Sequence, residues 1–308
     1  MKNKLVIGTR SSKLALWQAN YIKNRLEKQY KDLLVEVKHI TTTGDKILDV
    51  PLAKIGGKGL FTKELENEML AKSIDIAVHS LKDMPTVLPD GLVLAAITER
   101  VDAGDALVSP RYKTLDNLPL GAKLGTSSLR RKAQLLHVRP DLVIDDLRGN
   151  VDTRLSKLQT ENFDAIVLAV AGLKRLGYED KITEVLDKDV CLPAVGQGAL
   201  AIEARVGDKE TLQLLSFLND ENSYIQALAE RAFLRQVEGG CQVPVGVYAV
   251  ANSDSVTIKA IIASLDGRQM LKDEITGKVT MAETLGRNLA ESMLAAGGLA
   301  IMTDLGSI

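Results

Sequence analysis

Short apolar runs alternate with stretches of helical spacing along the first third of the chain. KLVIG (4–8) reads as a short buried strand. SKLALWQANYIKNRLEKQY (12–30) reads as a helix, with Leu14, Trp17, Tyr21 and Leu26 near the helical period. LLVEVKHI (33–40) alternates like a strand. TKELENEMLAK (62–72) is helical, with Thr62 placed to cap its start, and IDIAVHS (74–80) is a further strand. The middle third repeats this grammar. AKLGTSSLRRKAQLLHVR (122–139) is strand, turn and helix, DLVIDDLRG (141–149) strand and loop, VDTRLSKLQT (151–160) a helix, and FDAIVLAVAGLKRLG (163–177) a strand feeding a helix. Such alternation predicts mostly parallel sheets. IGTRSSKLAL (7–16) and LGTSSLRRKAQL (124–135) both put Gly-Thr and a serine pair between a strand and a helix. The two thirds therefore read as two similar α/β domains facing each other.

The remaining pattern is different. LPAVGQGALAIEARV (192–206) reads as a return crossing in which ALAIEARV adds a strand to the first domain. NSYIQALAERAFLRQVEGG (222–240) is a helix stopped by Gly239. VGVYAVA, VTIKAIIAS and RQMLKDEIT are strands, with Asp266-Gly267 as a hairpin turn. TMAETLGRNLAESMLAAGG (280–298) is a helix opened by a Thr280/Glu283 capping box. The predicted fold class is α/β, two domains around a cleft, followed by a small C-terminal α+β domain.

Composition narrows the function classes. The 308 residues carry a formal net charge of −1, with 45% hydrophobic and 26% charged positions, so no bulk charge draws the chain to nucleic acid or membrane. The start lacks the apolar core of a signal peptide, and no window holds the roughly 18 apolar residues of a membrane span. A cytoplasmic protein is expected. Cys191 and Cys241 cannot build a disulfide framework, no CxxC pair is present, and His39, His79 and His137 are scattered, so no metal site is expected.

Recognition of charge must then be local. Strand-to-helix turns present N–H groups and a positive dipole end, and Ser11, Ser12, Ser127 and Ser128 add hydroxyls there; simple helix capping explains them equally well. Arg10, Arg130 and Arg131 beside these turns, with Arg148, Arg154 and Arg175, favour a small polyanionic ligand, because the guanidinium fork matches carboxylate or phosphate. Asp83 in VHSLKDMP (78–85) lies just past a strand end, beside Lys82, where a carboxylate can act as acid/base or stabilise a cation. AKIGGKGLFTKE (53–64) is a Gly-rich loop suited to a lid; it lacks P-loop spacing, and its Phe61 could stack on a flat ligand or simply pack. Cys241 in EGGCQVPVG (238–246) sits among glycines that clear space around the sulfur, and it follows a helix C-terminus that does not favour a thiolate. Cys191 beside Leu192-Pro193 reads as a small buried hydrophobe.

Together GTRSSKLAL, GGKGLFTKE, DIAVHSLKDMP, GTSSLRR, LRGNVDTRL, LAVAGLKRLG, LPAVGQGALAIE and EGGCQVPVG resemble, in order, the signature runs of the hydroxymethylbilane synthase, or porphobilinogen deaminase, family. One departure is Lys13, where many members have proline; Arg10 and Ser12 stay in place. The resemblance implies two periplasmic-binding-protein-like domains, 1–99 with 199–217 and 103–193, plus a third at 218–308. It implies that Cys241 holds a dipyrromethane cofactor through a thioether. Four porphobilinogen units then add with loss of ammonia, and water releases hydroxymethylbilane. By resemblance Asp83 is the catalytic residue, steadying the cationic azafulvene left when ammonia departs. Lys82, Thr126, Ser128, Arg130, Arg131, Arg154 and Gly198 are implied on the cofactor side. Arg10, Ser12, Phe61, Arg148, Arg175 and Gln197 are implied on the substrate side. A monomer without nucleic-acid or membrane partner is expected. Two rivals use the same residues: a non-catalytic anion-binding protein, and a cysteine acyl-transfer enzyme that would need a base beside Cys241.

Overall fold

Residues 2–46, 59–237 and 244–306 are described by the structure, a computed structural model. The chain opens with β1 (Lys4–Thr9), α1 (Lys13–Gln29), β2 (Leu34–His39) and a single turn α2 (Thr43–Lys46). Helix α3 (Lys63–Leu70), β3 (Ile76–Ser80) and β4 (Leu92–Ile97) follow. The middle unit holds β5 (Asp105–Val108), β6 (Lys123–Gly125), α4 (Leu129–Val138), β7 (Val143–Asp145), α5 (Val151–Thr160), β8 (Ala165–Ala169), α6 (Val170–Arg175) and β9 (Glu184–Val185). Then come β10 (Leu200–Arg205), α7 (Lys209–Leu215), α8 (Glu221–Val237), β11 (Val245–Ala251), β12 (Ser255–Ala263), β13 (Met270–Lys278), α9 (Ala282–Met293) and α10 (Leu299–Gly306).

The first two sheets share one plan. The N-terminal sheet has the order β2-β1-β3-β10-β4 and the middle sheet β7-β6-β8-β5-β9. In each, a parallel set of three is joined by an antiparallel strand, β10 or β5, that the chain enters just after crossing between the units. The two crossings between the units lie side by side, where Val101 N donates to Gly198 O. The third sheet, β11-β12-β13, is antiparallel and packs on α8 and α9 around Phe233, Val247, Ile258 and Leu289. No helix among the described residues is long and apolar enough to cross a membrane.

Three local expectations are corrected. In α1 the buried apolar stripe is Ala15, Ala19, Ile22 and the expected Leu26, while Tyr21 packs only partly against this core and stacks at 5.3 Å on Trp17, which is exposed. Both faces of this helix carry apolar residues, so periodicity alone could not choose between them. Thr62 occupies the N-cap of α3 without a side-chain cap bond, because the turn is already closed by Thr62 and Lys63 N–H donating to Gly59 O. Thr280 is drawn into a 3-10 turn, Val279–Met281, leaving Met281 at the N-cap of α9 without a side-chain bond; Glu283 pairs with Arg235 instead. The stop at Gly239 and most of the Gly-rich loop lie outside the described residues.

Candidate functional site

Strand β3 is buried from Ile76 to His79 and ends in a 3-10 turn, Leu81–Asp83. Leu81 plugs the core, leaving Lys82 and Asp83 exposed to the cleft, and Pro85 holds Met84 extended so the turn stops there. Asp83 accepts no hydrogen bond among the described residues. It lines a pocket of about 50 Å³ with Arg10, Ser12, Phe61 and Ser80. Arg10 follows β1 and forks onto Asp45 at 3.0 and 2.5 Å, its guanidinium 4.1 Å above the Phe61 ring. One face of Phe61 is therefore covered by Arg10. Burial pushes the Asp45 carboxyl up, but hydrogen bonds from Arg10 and Thr42 hold it below the usual carboxylate range. Ser12 caps α1 by accepting from Ala15 N at 3.3 Å.

The equivalent turn in the middle unit faces the same cleft. Ser128 caps α4 by accepting from Arg131 N at 3.4 Å, and Thr126 Oγ1 accepts from Ser128 N at 3.3 Å. Both serine hydroxyls thus act as caps, and each keeps its proton to donate to a bound anion. Arg130 and Arg131 are buried and share one carboxylate. Arg130 Nη1 donates to Asp105 Oδ2 at 2.7 Å and to Leu192 O at 2.6 Å; Arg131 reaches Asp105 Oδ1 through Nε at 3.0 Å and Nη2 at 2.6 Å. Burial alone would raise the Asp105 carboxyl, but the two guanidiniums hold it far below the ordinary range. Arg154 donates to Gly149 O at 2.8 Å; burial is the main cause that draws it down to about 10, with Arg131 and Arg148 adding and Asp83 opposing. Arg148 Nη1 is buried without a hydrogen-bond partner among the described residues. Solvent reaches Lys82, yet the surrounding protein desolvates its amine. That effect, opposed by Asp83 and Asp105 and aided by Arg131 and Arg130, brings it to about 8.

Three residues meet at the crossings. Arg175 Nη2 donates to Gly198 O at 2.7 Å and its guanidinium lies 5.9 Å from the Trp17 ring, with burial lowering it to about 10. Gly198 has φ +98°, and a Cβ there would meet Val101 O at 2.6 Å, so only glycine lets the outward and return crossings touch. Gln197 turns its amide toward Asp105 and Lys82.

Lys82 and Arg154 thus act electrostatically on Asp83, with Arg131 next to both and Arg148 next to Arg154, while Arg10, Ser12 and Phe61 line the pocket that Asp83 shares. Arg175 and Gly198 engage each other at the crossings instead. Cys241 lies outside the described residues. Cys191 is fully buried against Arg130, Gln134 and Asp105, and burial pushes its thiol up to about 12, as fits a packed, inert thiol. Sequence reasoning missed Asp105 and Asp45, and it read His79 as holding the loop by hydrogen bonds, whereas its Nε2 stands 3.2 Å from buried Glu203 across β3 and β10. A carboxylate inside the short apolar run GDALV was the available signal, since a buried Asp requires a cation. Cations outnumber carboxylates here, one guanidinium nitrogen is orphaned and one carboxylate is uncommitted. The set suits a ligand that bears several carboxylates and a donor or cationic centre for Asp83.

Comparison with known proteins adds to this. The family model described as porphobilinogen deaminase, dipyromethane cofactor binding domain, matches residues 5–213, and that for the porphobilinogen deaminase C-terminal domain matches residues 224–295. The chain is 54% identical over 303 residues to the porphobilinogen deaminase of Geobacter sulfurreducens, covering 98% of this chain and 95% of that one. It is 52% identical over 302 residues to that of Trichlorobacter lovleyi, covering 98% and 96%. Among solved structures, the methionine binding protein MetQ aligns with a TM-score of 0.46 at 16% identity, over 72% of this chain and 92% of its own.

Proposed function

The chain belongs to the porphobilinogen deaminase family, and from that premise we propose that it is a hydroxymethylbilane synthase. It condenses four porphobilinogen molecules head to tail on a dipyrromethane held by Cys241, with release of ammonia at each addition. Hydrolysis then frees the linear tetrapyrrole. The observation that carries this reading is the uncommitted carboxylate of Asp83, exposed to the cleft beside Lys82 and Arg154, with Arg131 and Arg148 next to those cations.

The residues fit a polycarboxylate pyrrole. Arg148 offers its orphaned Nη1, Lys82 is mostly protonated at neutral pH, and the N-termini of α1 and α4 add N–H groups with Ser12 and Ser128. When bound, the dipyrromethane supplies the pyrrole terminus at which the product chain grows. Arg10, Arg148 and Arg154 bind acetate and propionate groups, fixing the reacting carbons in line. Asp83 accepts the pyrrole N–H, steadies the positive charge that develops as ammonia leaves, and takes up the proton lost on coupling. Thr126, Arg130, Arg131 and Gly198 serve by shaping the wall that carries these groups. The units 1–99 with 199–217, 103–193 and 218–308 are the domains of this reading, supported by one sheet in each, and the working form is a cytoplasmic monomer.

Intact mass under denaturing conditions, followed by peptide mapping, tests the proposal. The expected result is an adduct of two linked pyrroles on Cys241, none on Cys191, and consumption of porphobilinogen with release of a linear tetrapyrrole. A Cys241 that stays bare after addition of porphobilinogen overturns it and favours a non-catalytic anion binder.

A further inference from the structure

The chain passes between the N-terminal and middle sheets twice, after β4 and again before β10, and Gln197 lies where the two passages meet. It is 1% exposed. Its neighbours are pressed into place: a Cβ on Gly196 would stand 2.5 Å from Leu81 of the Lys82–Asp83 turn, and one on Gly198 2.6 Å from Val101 O of the outward passage. The Gln197 carbonyl accepts from Arg100 Nε at 2.8 Å. Arg100 forks in turn onto Glu230 of α8 at 2.5 and 3.2 Å, and Glu230 also accepts from Gly196 N at 2.7 Å.

The side-chain amide works in both directions. Nε2 donates to Ala103 O at 2.7 Å, Asp105 Oδ1 at 2.9 Å and Gly104 O at 3.2 Å, while Oε1 accepts from Lys82 Nζ at 3.3 Å. Acceptors on one side and an ammonium on the other allow the amide one orientation only. Arg130 and Arg131 hang on the same Asp105. A buried amide committed inward in this way has no donor left to offer a pyrrole carboxylate.

We propose that Gln197 is a positioning residue: its amide holds Lys82 of the N-terminal unit at a fixed offset from the Asp105-anchored Arg130/Arg131 pair of the middle unit, so it acts through these cations and not by contact with substrate. The inference rests on the functional reading above, and it revises the substrate-side role that resemblance implies for Gln197. Removing the Oε1 acceptor takes stabilisation from the Lys82 ammonium only, so its amine should titrate at lower pH. Removing Nε2 frees the Asp105 end to shift against the turn.

The test uses purified holoenzyme and three variants, Gln197→Met, Lys82→Met and the double variant. For Gln197→Met the expected result is a rise in KM for porphobilinogen of roughly tenfold or more, the size of one hydrogen bond to a charged group, with a smaller change in kcat. The pH dependence of acetylation at Lys82, mapped by mass spectrometry, should move to lower pH. The double variant should lose less than the two single effects combined, because residues that share a contact are not additive. Unchanged KM and Lys82 titration, with or without a lower Tm, overturns the proposal, as does full additivity. If Gln197→Met does not fold, Gln197→Glu replaces it: Lys82 should then react at higher pH, and an unmoved titration overturns the proposal equally. Lys82 acetylation is read without turnover. A wild-type enzyme that ignores porphobilinogen therefore sinks the functional reading while this inference is still decided by its own measurement.

Discussion

Asp83 and Asp105 are two carboxylates within reach of the same cations, and burial separates their work. Asp83 is exposed to the cleft and unbonded, whereas Asp105 is fully buried and bonded to both Arg130 and Arg131. Asp83→Asn keeps shape and removes charge. Turnover of porphobilinogen should fall by roughly 10²- to 10⁴-fold while the circular dichroism spectrum and Tm stay as in wild type; near-normal kcat would remove Asp83 from the chemistry. Asp105→Asn should instead cost about 3–5 kcal/mol of stability at neutral pH, since two buried guanidiniums lose their counter-ion. The sign of its pH dependence follows from the lowered folded-state pKa. The stability Asp105 contributes is fully present above its unfolded value of about 3.9 and is lost as pH falls below it, so the gap between variant and wild type should close in acid. Denaturant titrations at pH 7 and at the lowest pH where both still fold check this; a constant gap would contradict the pairing.

The elements show what sequence could and could not disclose. The parallel strand–helix units were legible because each strand runs straight into a helix whose start is marked by serine, and Ser12 and Ser128 do cap those helices. Asp83 was legible for a related reason, as a carboxylate parked between a buried strand and a proline. Strands β4, β5 and β9 were not read. LVLAAI and DALV have no helix behind them, and their partners, β10 and β8, lie far away in sequence. For the same reason Asp105 and its two arginines could not be paired in advance. The close contact of the two crossings, which depends on Gly198, is likewise a tertiary fact. Gly198→Ala forces φ +98° on a residue with a side chain and drives its Cβ to 2.6 Å from Val101 O. A loss of about 2 kcal/mol or more is expected in thermal or denaturant unfolding; an unchanged Tm would mean that the crossings separate easily.

For the whole molecule, a net charge of −1 conceals a cleft in which Lys82, Arg131, Arg148 and Arg154 lie close enough to influence one another. Attraction of a polycarboxylate substrate to that cleft should weaken with salt, so KM should climb between low and physiological ionic strength while kcat holds. A flat KM would place the binding energy elsewhere. The central position of β10 bears on how the protein comes into being. Within its sheet β4 pairs with β10 alone, and β10 comes after the entire middle unit in the chain. On the ribosome, the first unit to be synthesised must therefore wait, its sheet open along β3, until the second has emerged, a delay on the order of ten seconds at ordinary translation speeds. The later-made half can close first, and the earlier-made half is the one that would need shelter from aggregation in the interval. A nascent chain halted after Pro193 should be cut by protease near β4, where the finished protein resists.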